Sequence, residues 1–150
     1  MKRIIPAARI LLGLAFFVLG LNYFLNFLPE PTSMPAPVLA FLGPFVATKY
    51  MGLVKLIEVT AGALLLANRF VPLALTLLAP ILVAIVHFHV MLEPSGLPLP
   101  LVLVALELVL ARAYRSAFAP MLRARVAPTE ADDRTIVSSN PPVSALASSR

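Results

Sequence analysis

Seven polar or ionisable side chains interrupt otherwise apolar sequence: Asn22, Asn26, Lys55, Glu58, His87, His89 and Glu107. An ionisable group in hydrocarbon costs roughly 2.5–3.5 kcal/mol on insertion scales, so each asks for a partner or a function. Lys55 and Glu58 stand at i and i+3, which places them on one helix face, with Gly62 one turn beyond. Asn22 and Asn26 share a face at i and i+4. His87 and His89 are about 200° apart on an ideal helix, so at most one of them points at a given axis. Glu107 stands alone at the centre of its apolar run.

Spacing tests the chemistries these residues could perform. Two histidines at i and i+2 on one helix cannot ligate opposite faces of a single haem iron. A carboxylate-bridged dimetal site needs paired Glu-x-x-His motifs, which the chain lacks. His89 and Glu93, at i and i+4, could hold a single metal ion only with help from Glu58. The chain contains no cysteine, which excludes disulfides, Fe–S ligation and dithiol redox chemistry of its own. No glycine-rich phosphate loop and no serine-nucleophile elbow occurs. A small transporter is poorly supported, because no broken second repeat is visible. What these residues permit is a lipophilic ligand such as a quinone, whose carbonyls could take hydrogen bonds from Lys55 or a histidine while the carboxylates relay protons.

The elements that must position these groups are four apolar runs, Ile4–Leu28, Lys49–Ala67, Val71–Leu92 and Leu97–Ala117, in 150 residues. The chain is 60% apolar and only 13% charged, and its mean hydropathy is +0.94. About 20 helical residues at about 1.5 Å each match a hydrocarbon core of roughly 30 Å. The expected fold is therefore all-α: a four-transmembrane-helix antiparallel bundle over residues 1–122 and a disordered cytoplasmic tail over 123–150, where Pro, Ser, Thr and Asp accumulate without apolar periodicity. The first run is expected to be a retained helix rather than a cleaved signal, because it is too long and lacks a small-residue cleavage site. The connection at 29–48 is rich in proline, yet Val38–Val46 is largely apolar and is expected to form a short re-entrant or interfacial helix. Pro80 lies in the middle of the third run, where a kink is expected.

The net charge of +5 and isoelectric point near 10.3 do not point to nucleic acid. The basic residues sit at the ends of the apolar runs, where lipid headgroups lie. With the N-terminus in the cytoplasm, Lys2, Arg3, Arg9, Arg69, Arg112, Arg115, Arg123 and Arg125 all fall on the cytoplasmic side, which places both termini there. In that topology the seven polar side chains fall in one slab between the midplane and the outer leaflet. They are candidates for a pocket opening outward. The structural alternative is that Lys55 only neutralises Glu58 or Glu107, and that the asparagines only bond between helices.

The stretch Ala8-Arg9-Ile10-Leu11-Leu12-Gly13-Leu14-Ala15-Phe16, with Gly20 and Tyr23-Phe24, resembles the first helix of the DoxX-like membrane proteins. Tyr50-Met51-Gly52-Leu53-Val54-Lys55-Leu56-Ile57-Glu58-Val59-Thr60-Ala61-Gly62 is similar to their second helix, with an acidic residue shortly before a glycine. The resemblance covers about residues 4–118. It implies a bacterial inner-membrane four-helix bundle, linked to quinone-coupled sulfur or thiol oxidation beside a partner oxidoreductase, with Glu58 first and Lys55 second among the residues carried over. Relatives that use a cysteine pair are a poor guide to a chain without cysteine. Two functions follow as expectations: an accessory subunit that binds quinone, or a non-catalytic membrane scaffold, in either case with homo-oligomers open to it.

Overall fold

The computed structural model describes residues 4–29, 34–121 and 123–124. Among them every regular element is helical: α1 (Ile4–Leu25), α2 (Ala36–Ala47), α3 (Tyr50–Leu66), α4 (Val71–Met91), a 3₁₀ turn (Pro94–Gly96), α5 (Pro98–Ala113) and α6 (Arg115–Phe118). Two of these, α1 and α4, are each long and apolar enough to cross a membrane; α2 and α3 together make a third such length, bent by 84° at their junction. The tail expected over 123–150 lies outside the described residues, apart from Arg123 and Ala124.

Local chemistry explains where the helices stop. The first helix ends at Leu25 rather than Leu28, because Asn26 takes a left-handed conformation with φ 49°. Asparagine tolerates that region better than any residue but glycine. The Asn26 N–H donates to the Asn22 carbonyl at 2.8 Å, and the Asn22 side-chain oxygen accepts from the Leu28 N–H at 2.7 Å. The same device closes α3. Asn68 has φ 54°, its N–H donates to the Leu65 carbonyl at 3.1 Å, and the Arg69 N–H donates to the Leu64 carbonyl at 3.0 Å. That pair of bonds is a Schellman motif, with asparagine where glycine is usual. The fourth run divides at Tyr114, which leaves the helical region and packs against the core, so the helix expected to reach Ala117 ends at Ala113.

The four long helices pack as a closed ring: α1 touches α3 and α5, and α4 touches α3 and α5. The centre is apolar, built from Leu12, Phe16, Ala61, Leu65, Leu75, Leu78, Leu82, Leu103 and Leu110. The closest seam is α1 against α3, and glycines make it possible. A Cβ on Gly62 would lie 2.7 Å from the Phe17 backbone nitrogen and 2.9 Å from the Gly13 carbonyl oxygen. Two backbones meet there with no room for a methyl group. Outward faces are apolar as well: Val83 is 70% exposed and Leu108 64%. Faces of that kind on every side of a bundle suit hydrocarbon rather than water.

The helix foreseen between the first two runs is present as α2. It carries no charge and buries only Val38. Lys49, with φ 59°, forms the corner at which the chain turns into α3. Pro80 is accommodated within a continuous α4.

Candidate functional site

The Lys55–Glu58 pair forms as its spacing requires. The Lys55 Nζ donates to both Glu58 oxygens, at 3.1 and 2.9 Å. Glu58 is almost fully buried and Lys55 remains 23% exposed. A Cβ on Gly20 would lie 3.2 Å from the Lys55 carbonyl oxygen and 3.3 Å from the Glu58 Cβ. The missing side chain on α1 therefore lets that helix cover the turn carrying the pair. The carboxylate is covered by α1, while part of the lysine side chain remains exposed.

Glu107 lies elsewhere. It is 8% exposed and lines a cleft of about 300 Å³ between α4, α5 and α6, together with Leu75, Thr76, Ala79, Ala111, Phe118 and Met121. Among the described residues its carboxyl group has no hydrogen-bond or ion-pair partner. The cleft occupies the start of α4 and the end of α5, the half that holds the α3–α4 turn and α6. It is not the shared pocket expected toward the end carrying Asn22 and His89. None of the other six polar residues lines the cleft, and the buried core packed between the helices is mostly leucine.

The remaining candidates take local roles. His87 is exposed on α4. The His89 Nδ1 bonds to the Ile85 carbonyl one turn back at 2.8 Å, and its ring stands edge-on to Phe88 with centroids 5.2 Å apart. Gly96 makes room for that ring, since a Cβ there would approach the His89 Cδ2 to 2.6 Å. Glu93 is engaged by the Ser95 hydroxyl. Among the described residues no group of three metal-binding side chains gathers. Asn22 and Asn26 terminate α1 and reach no other helix.

One residue acquires a role its sequence position did not announce. Arg9, in α1, donates from Nη1 to the carbonyls of Leu65 and, at 3.2 Å, of Leu66. Those carbonyls belong to the last turn of α3, where the helix dipole favours a cation; Leu65 also accepts from Asn68. Counted from sequence, Arg9 was one more basic residue at a membrane boundary. No local signal could reveal an acceptor more than fifty positions away.

Comparison of the chain with family models, with curated proteins and with solved structures finds no match.

Proposed function

We propose that this chain is a multi-pass membrane protein that holds a small lipophilic molecule in the α4–α5 cleft, with Glu107 anchoring the molecule's polar end. The observation that carries this is the carboxyl group of Glu107, 8% exposed and unpartnered among the described residues, set into a wall of Leu75, Ala79, Ala111, Phe118 and Met121. A structural carboxylate would be paired, as Glu58 is. An apolar cleft with one convergent polar group is the usual form of a small-molecule site.

In this proposal α1, α3, α4 and α5 each cross the bilayer. The 17 residues of α3 and the 16 of α5 span only about 26 and 24 Å. Mismatch of that size is met by local thinning and by snorkelling of flanking side chains. Lys49 and Arg69 flank α3, and Arg112 and Arg115 stand at the end of α5. The arginine-rich end faces the cytoplasm of a bacterial cell, with both termini on that side.

Native mass spectrometry of the protein released from mild detergent tests the cleft. Wild type is expected to retain one small apolar molecule. Ala79→Phe, which fills the cleft, is expected to lose it while keeping its helical circular dichroism. Retention of the same molecule by Ala79→Phe, or none in wild type, would reject the site and leave a scaffold.

A quinone-linked accessory role, which the DoxX-like resemblance of α1 and α3 implies, is a second reading. One observation favours it. Lys55 gives N–H groups to both Glu58 oxygens, which leaves a third donor on a side chain that is 23% exposed. A quinone carbonyl could accept that proton, and a partner oxidoreductase would supply the electrons. Lys55→Met is then expected to lower the quinone extracted with the purified protein severalfold. Equal quinone content in the two proteins would exclude this role.

A further inference from the structure

The chemistry of the cleft wall narrows the class of molecule it can hold; this step rests on the proposed cleft site. Thr76 and Glu107 are its polar residues. The Thr76 hydroxyl donates its proton to the Pro72 carbonyl at 2.9 Å, so it has no proton left to offer a ligand. The Thr76 main-chain carbonyl would ordinarily accept the N–H of residue 80, but residue 80 is proline and has none. Glu107 contributes carboxyl oxygens with no described donor. Leu75, Ala79, Ala111, Phe118 and Met121 supply no strong donor. Arg112 and Arg115 stand at the same end of the bundle but are exposed and do not line the cleft.

The wall is thus apolar but for one acidic group, and it carries an aromatic ring. A phosphate, sulfate or carboxylate head would meet only oxygens there. An ammonium head would find the Glu107 carboxylate in an otherwise apolar wall, and charge-assisted bonds are roughly twice as strong as neutral ones. The ring of Phe118 adds a surface that attracts cations. A cleft of about 300 Å³ suits an alkyl or aryl body of modest length. We infer that the cleft is a binding site for a lipophilic ammonium compound that enters from the bilayer, with Glu107 as its counter-ion.

The full chain in phosphatidylcholine nanodiscs, with empty discs subtracted, provides the test. Tritiated decylammonium is the probe, displaced by unlabelled decylammonium, decanol or decanoate in a scintillation proximity assay. In wild type, decylammonium is expected to compete at a concentration at least about tenfold lower than decanol, with decanoate weakest. Glu107→Gln preserves shape and is expected to bring decylammonium and decanol within about twofold of each other. Equal competition by decanol in wild type overturns the ammonium assignment while leaving a cleft for neutral amphiphiles. Preference for the amine that survives Glu107→Gln also overturns it, because the cation would then sit elsewhere. If none of the three competes, the cleft takes no such ligand and the site itself fails. The wild-type comparison of amine with alcohol stands even if Glu107→Gln does not fold.

Discussion

At the residue scale, two glutamates of similar burial have opposite circumstances. Glu58 has a lysine three positions before it, and the helix itself brings the two together. Glu107 has leucines at 106, 108 and 110, and no cation within a turn before it. The pairing of Lys55 with Glu58 was legible from spacing, because i and i+3 juxtapose side chains in any helix. The solitude of Glu107 was not, since a neighbouring helix could have supplied a cation and only the assembled structure shows which side chains face it. Lys55→Met alone strands a nearly buried carboxylate, whereas Lys55→Met with Glu58→Met removes both charges. A double-mutant cycle read by thermal unfolding in detergent is expected to give a coupling of at least about 0.2–0.5 kcal/mol, the range for an i, i+3 pair on one helix. A coupling indistinguishable from zero would mean that the pair contributes nothing to the fold. The asparagines teach the opposite lesson. At i and i+4 they looked like a shared polar face, but Asn26 occupies the left-handed position that ends the helix, so its side chain never joins that face.

At the element scale, the α1–α3 seam shows how glycine positions the charged pair. Gly13, Gly20 and Gly62 let the two backbones approach until α1 covers Glu58. Gly62→Ala would drive a methyl group to within 3 Å of the Phe17 backbone and the Gly13 carbonyl, neither of which can rotate away. Overpacking of this kind typically costs about 1–3 kcal/mol. Gly43→Ala in α2 meets nothing within 4 Å, and by helix propensity it should be neutral or stabilising by about 0.5–1 kcal/mol. Paired melting curves of these two variants check the contrast; similar melting temperatures would refute the close seam. Arg9 belongs to this scale too, because its guanidinium on α1 occupies the carbonyl end of α3. Helix ends were partly legible. Proline at a first turn and asparagine at a stop are local signals, whereas the break at Tyr114 reflects a side chain turning onto the core.

At the scale of the whole molecule, the four-helix ring and the proposed four crossings can be separated by experiment. The chain has no native cysteine, so single substitutions report cleanly. Arg69→Cys is expected to react with an impermeant maleimide only after the membrane is opened, and Ser95→Cys in intact cells. Equal labelling of both from one side would mean that α4 does not cross. The sequence by itself determined the helical character of the described residues and their apolar faces, because long runs of leucine and alanine with so few charges leave little polar face for water. It also placed Lys55 and Glu58 on one helix face, a consequence of helical pitch, while leaving open whether Lys55 meets Glu58 or Glu107. Only the tertiary structure decided that leucine dominates the buried core, that Arg9 caps a helix far along the chain, and that Glu107 lines a cleft beside Thr76. Those outcomes depend on how each helix is rotated about its axis and on which surfaces meet, and no periodicity within one run encodes the rotation of its neighbour.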